Sequence, residues 1–141
     1  MKLKNQVCSL KLAKKLKKLG YPQKGLFWWS VYYNLKTNKP NYNDGEIHYG
    51  KDMSASIHFD YVAPTVAELG EIMKEKGMGT TAYSTLVKKE WWVSGGIWDV
   101  GKQKYDGLET DKTWANALAK MLIYLLENKL LEELRGEGKC Q

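Results

Sequence analysis

The chain is 141 residues long, 43% hydrophobic and 27% charged, with a formal net charge of +6. That length and apolar content exclude a disordered polyelectrolyte and a miniprotein held by disulfides, and predict one domain spanning residues 1–141. No run approaches the ~18 apolar residues of a membrane span, and the N-terminal MKLKNQVCSLKLAKK is charged where a signal peptide needs an apolar core, so a cytoplasmic protein with no membrane partner is expected.

Residues 9–20, SLKLAKKLKKLG, predict an amphipathic helix. Leu12, Leu16 and Leu19 recur at helical spacing with Cys8 one turn earlier, Ser9 is placed to cap the start, and Gly20 to end it. Lys11, Lys14, Lys15, Lys17 and Lys18 fill the rest of its circumference. FWWSVYYNL (27–35) reads as a strand with Phe27, Trp29, Val31, Tyr33 and Leu35 on a core face and Trp28, Ser30, Tyr32 and Asn34 on the other. Turn formers predict a loop over 36–45, followed by short strands at 46–50 and 55–62 that complete a three-stranded meander.

Thr65 and Glu68 form a capping-box pattern for a second helix carrying Val66, Leu69, Ile72 and Met73 on its apolar stripe and ending at Gly77. AYSTLV (82–87) and EWWVSGGIWDVG (90–101) are β-rich, with Gly95-Gly96 predicting a tight hairpin turn. Helix formers then run from a cap at Thr110 or Asp111 to Gly136, a helix of roughly 24 residues and about 36 Å. Trp114, Leu118, Met121, Leu122, Leu125 and Leu126 line its apolar stripe, and its tail is placed to pair with another copy. The sum is an α+β fold: an antiparallel sheet of about five strands against a long C-terminal helix, with two shorter helices.

VCSLKLAKKLKKLG, LFWW, YVAPTVAELGEIM and ANALAKMLIYLLENKLL occur in that order and cover about half of the chain. In this the chain resembles a widespread family of small proteins encoded by bacteriophages and prophages. The resemblance implies a phage origin, a place in the host bacterial cytoplasm and a role in the phage–host contest. The family has no established catalytic motif to carry over.

Catalytic chemistry finds little footing. His48 and His58, with Glu46 or Asp60, are the residues from which a metal site or an acid–base pair would be built, if the two histidines faced each other across a hairpin. A phosphodiesterase on that pair is the least favoured reading. No serine sits in a nucleophile elbow, and GMGTT (77–81) lacks the ending of a P-loop. Cys8 and Cys140 have no metal-binding spacing and read as reduced thiols. No catalytic residue, metal or cofactor is assigned.

Binding chemistry is better represented. Residues 1–43 hold ten lysines and no acidic residue, whereas residues 44–141 hold twelve basic against sixteen acidic residues. Arg135 is the sole arginine. Reading of base edges leans on the planar guanidinium, so these lysines suit less specific attraction to phosphate. Six tryptophans include two adjacent pairs, each of which turns one ring to either face of its strand. The outward rings are covered within one monomer, close a homo-oligomer interface, or stack on a ligand.

The expectation is a non-enzymatic accessory protein that sequesters a small anionic, nucleotide-derived ligand, a host antiviral signal. Trp28, Tyr32, Trp91 and Trp92 would stack on it, and Lys14, Lys15 and Lys18 would meet its phosphates. An adaptor that binds host protein or nucleic acid is the alternative.

Overall fold

The structure, a computed structural model, describes residues 2–50, 58–76, 78–85, 88–101 and 104–130. Helix α1 (Leu10–Lys18) opens at Ser9, whose Oγ accepts the Leu12 N–H at 3.4 Å. It closes in a Schellman motif. Gly20 takes φ 93°, the Tyr21 N–H reaches the Leu16 carbonyl at 2.9 Å, and the Gly20 N–H reaches that of Lys17 at 3.1 Å. Helix α2 (Val66–Glu75) carries the predicted capping box: the Glu68 N–H donates to Thr65 Oγ1 and the Glu68 carboxylate accepts the Thr65 N–H. The end predicted at Gly77 falls outside the described residues.

Helix α3 (Trp114–Glu127) is shorter than its composition predicts. Its cap is Thr113, because the preceding strand runs as far as Asp111. Its 14 residues span about 21 Å. A second Schellman motif stops it: Lys129 takes φ 54°, and the N–H groups of Lys129 and Leu130 bond the carbonyls of Leu126 and Leu125. The tail expected to pair with another copy lies outside the described residues from 131 onward.

Six strands form two three-stranded antiparallel sheets rather than one continuous sheet. In the first, β1 (Phe27–Asn34) is central between β2 (Lys39–Tyr49) and β3 (His58–Val62), so the predicted meander order is wrong. The physical reason lies in β1 itself: a central strand has cross-strand side-chain neighbours from both adjacent strands, which suits one that carries large aromatics on both faces. Trp29 turns toward α1 and donates its indole N–H to the Cys8 carbonyl at 2.9 Å. Trp28, on the opposite face, is only 9% exposed and donates to the Gly25 carbonyl at 3.2 Å. Ser30 is fully buried and hydrogen-bonds Asp60 Oδ1 at 2.9 Å. Leu35, assigned to the core face, is 90% exposed because β1 has already ended.

The loop expected over 36–45 contracts to a turn at 35–38, where Asn34 Oδ1 accepts the Lys36 N–H at 2.9 Å and Asn38 takes φ 53°. Strand pairing resumes at Lys39, and Pro40 is tolerated because β2 is an edge strand. Register then jumps. Tyr33 pairs with Pro40 but Val31 with Gly45, so residues 41–44 bulge opposite Tyr32. Positions 55–57 of the predicted third strand fall outside the described residues.

The second sheet is the meander β4 (Gly79–Thr85), β5 (Glu90–Asp99), β6 (Lys104–Asp111). GMGTT thus contributes its last three residues to β4 rather than forming a loop. Gly95 and Gly96 do not turn the chain; β5 continues through them with a register shift between Gly95 and Trp98, and the chain reverses on either side, at Lys88–Lys89, with Lys89 at φ 52°, and at Val100–Gly101. Gly95 lies opposite Gly107. A Cβ on Gly107 would stand 2.8 Å from Tyr124 Cε1 and 3.1 Å from both the Gly95 carbonyl oxygen and Met121 Sδ. The glycines form a saddle on which α3 rests.

Sheet one packs against α1, sheet two against α3, and the two helices touch, with α2 against α3 and β4. The helices therefore stand between the sheets. Ala115, Ala117, Leu118, Ala119, Met121, Leu122, Ile123 and Leu125 are buried around α3, as a central helix requires. The Ser9 N–H donates to Asn116 Oδ1 at 2.7 Å, tying the start of α1 to the first turn of α3. Among the described residues no helix is long and apolar enough to cross a membrane.

Candidate functional site: an aromatic cleft at two helix starts

Trp114 is the first residue of α3 and 39% exposed, so it does not belong to the buried stripe. Its indole instead stacks on that of Trp91, with centroids 4.9 Å apart and planes within 11°. Trp91 is near the start of β5, opposite Asp111 of β6. The short segment Asp111–Thr113 between β6 and α3 therefore delivers Trp114 onto Trp91.

This stack forms one wall of a cleft of about 560 Å³, a volume within the range of small-molecule sites. Asn5 and Gln6 form its rim on the N-terminal side, and Thr65, Val66 and Ala67 bring the start of α2 to it. Lys112 and Thr113 complete it at the start of α3. Both helix starts thus border the same space, with the N-cap N–H groups of Thr65 and Thr113 already bonded to the carboxylates of Glu68 and Asp111 and other N–H groups of the first turn left for a ligand. Among the described residues no acidic side chain lines it, although the chain beyond residue 43 has more acidic than basic residues.

The neighbouring charges are organised so that Lys112 stays available. Asp111 turns to Lys120, 2.7 Å away, and accepts from Asn116 Nδ2 at 3.3 Å. Burial acts to raise the Asp111 carboxyl, but these bonds, the Lys120 charge and the Thr113 N–H outweigh it and hold it below its ordinary value. Among the described residues no carboxylate pairs with Lys112. A stacked indole surface, this ammonium and two helix starts can hold a flat, anionic ligand. They include no nucleophile–base pair.

Of the seven residues singled out from the sequence, only Trp91 lines this cleft. Trp28 is buried in the core of sheet one, and Tyr32 is half-buried on the same strand face. Trp92 belongs to the opposite face of β5 from Trp91 and lies between Tyr83 and Thr110 in register. Lys14 sits over the Tyr42 ring, 3.5 Å from its centroid, and Lys15 pairs with Glu127 at 2.7 Å. Lys18 is exposed on α1. The structure does not bring these together, since they are distributed over two sheets and a helix.

The histidines are also apart. Position 48 lies opposite Trp28 on one side of β1, and position 58 opposite Tyr32 on the other. Two strand spacings and four residues of rise separate their backbones by roughly 16 Å. His48 Nε2 is 3.5 Å from Glu46 Oε2, without hydrogen-bond geometry. Among the described residues no group of three or more His, Cys, Asp or Glu is placed to hold a metal. Burial pushes the Cys8 thiol well above its ordinary range, which keeps it protonated and unreactive.

Sequence reasoning missed Trp114, Lys112 and Thr113. The signal was TDKTW: a threonine cap at 113 places Trp114 in the first helical turn, away from the packed middle of the helix. Comparison with family models, curated proteins and solved structures gives no match.

Proposed function

We propose that the protein is a non-enzymatic binding protein that sequesters a small anionic, nucleotide-derived ligand. In the phage–host setting that the sequence resemblance implies, that ligand is a host antiviral signal. The observation that carries this reading is the Trp91–Trp114 stack in a cleft that no acidic side chain lines among the described residues, with Lys112 at its edge. A nucleobase stacks on the exposed indole of Trp114, and its phosphate meets Lys112 and the helix starts. Sequestration needs tight binding and no reactive group.

Native mass spectrometry of the protein from defence-active cells reads retained ligand and copy number together, and so also tests the expected homo-oligomer. Calorimetry with a panel of mono- and cyclic dinucleotides follows. Trp114→Ala should abolish the binding, and Lys112→Ala should weaken it about tenfold or more, the worth of a charge-assisted hydrogen bond. Undiminished binding by Trp114→Ala refutes the assignment.

A further inference from the structure

We infer that the outer surface of α1, together with the β2 bulge, binds single-stranded nucleic acid without sequence preference, at a site separate from the tryptophan cleft. The bulge at 41–44 is the first observation. It interrupts the register of an edge strand and turns Tyr42 onto α1, as bulges do where a side chain must be re-aimed. Tyr42 is 37% exposed, and its hydroxyl shares a 3.4 Å hydrogen bond with that of Tyr61. The two rings are 6.4 Å apart.

The cations around them are the second observation. The Lys14 ammonium lies 3.5 Å from the Tyr42 centroid and that of Lys17 lies 5.0 Å from the Tyr61 centroid. Lys17 is anchored by the Asp60 carbonyl at 3.1 Å. Of the five lysines on α1, only Lys15 pairs with a carboxylate among the described residues. Tyr42 also titrates below its ordinary value, through the Tyr61 hydrogen bond and then the Lys14 ammonium, which fits a face of positive potential.

A lysine helix alone attracts any polyanion. A tyrosine held among the lysines adds a stacking surface, which a duplex with its bases paired inside cannot use and a single strand can. On binding, a base takes the ring face that Lys14 covers, and the flexible ammonium passes to the adjacent phosphate. The cations of this face are lysines, point charges without the planar fork of a guanidinium, and every base offers a face to stack on the tyrosine, so the binding is indifferent to sequence.

The test is fluorescence anisotropy of a labelled 12-residue oligo(dT) with the full chain. With Lys11, Lys14 and Lys18 each neutralising one phosphate, the logarithmic salt slope should be about −2, or roughly a 20-fold loss between 50 and 200 mM salt. Tyr42→Leu should weaken binding at least about fivefold at fixed salt with the slope unchanged, and Tyr42→Trp should retain it. Circular dichroism confirms that both variants fold. Trp114→Ala should leave this binding intact, which separates the two sites. Equal affinity of Tyr42→Leu and the parent overturns the inference. So does a duplex or polyglutamate held as tightly as the single strand, or loss of binding in Trp114→Ala.

Discussion

Gly107→Ala and Gly70→Ala make the same chemical change and should move stability in opposite directions. At position 107 the new methyl would stand 2.8 Å from Tyr124 Cε1, and 3.1 Å from Met121 Sδ and the Gly95 carbonyl oxygen. The ring and the thioether can shift, but the carbonyl belongs to the strand directly opposite and cannot. Overpacking of this kind costs about 1–3 kcal/mol, against about 0.4–1 kcal/mol regained because alanine restricts the unfolded chain. The net is a loss of about 1–2 kcal/mol, or about 3–8 °C in Tm for a domain of this size. Gly70 lies within α2, and an added methyl there meets nothing inside 4 Å, so alanine should add about 0.5–1 kcal/mol. Urea denaturation of both variants, with m-values compared to the parent, measures the pair. If Gly107→Ala is as stable as the parent, α3 does not rest on the Gly95–Gly107 saddle.

Two further outcomes follow from the titrating groups. Asp111 is held below its ordinary value of 3.8 in the fold, so its contribution to stability is full well above that value and is lost as pH falls through it toward the folded pKa. The stability gap between parent and Asp111→Asn, measured by urea denaturation at pH 7 and pH 3, should therefore narrow at the lower pH; a constant gap would show that the Lys120 and Asn116 contacts contribute nothing. Cys8 is fully buried with its thiol pushed upward, so a Cys140→Ser variant should show no reaction with an aromatic disulfide reagent until denaturant is added. Prompt reaction would place Cys8 at an accessible surface.

What could be read in advance was local. Ser9 and the Thr65–Glu68 box are contacts within three residues, and each forms as its pattern predicts. The α+β class also follows from patterns of similar range. What could not be read was pairing at a distance. Whether the strand after Thr65 joins the strands before it depends on contacts that no window of residues contains, and here the helices keep the two sheets apart. Gly95-Gly96 has the composition of a turn, yet its purpose is set by a helix that begins at Trp114. The cleft was half legible. Trp91 stood out as part of a pair, but the two starts that face it, at Thr65 and Thr113, are 48 residues apart in the sequence.

A helix buried on most of its circumference cannot be an independent piece of the molecule. Helix α3 has little polar surface to present to water, and its first turn holds the N–H of a residue made 107 positions earlier. The chain cut between β3 and α2 should therefore yield two fragments that aggregate separately and regain a single cooperative transition when refolded together. During synthesis the start of α1 therefore lacks its partner on α3 until Asn116 has emerged.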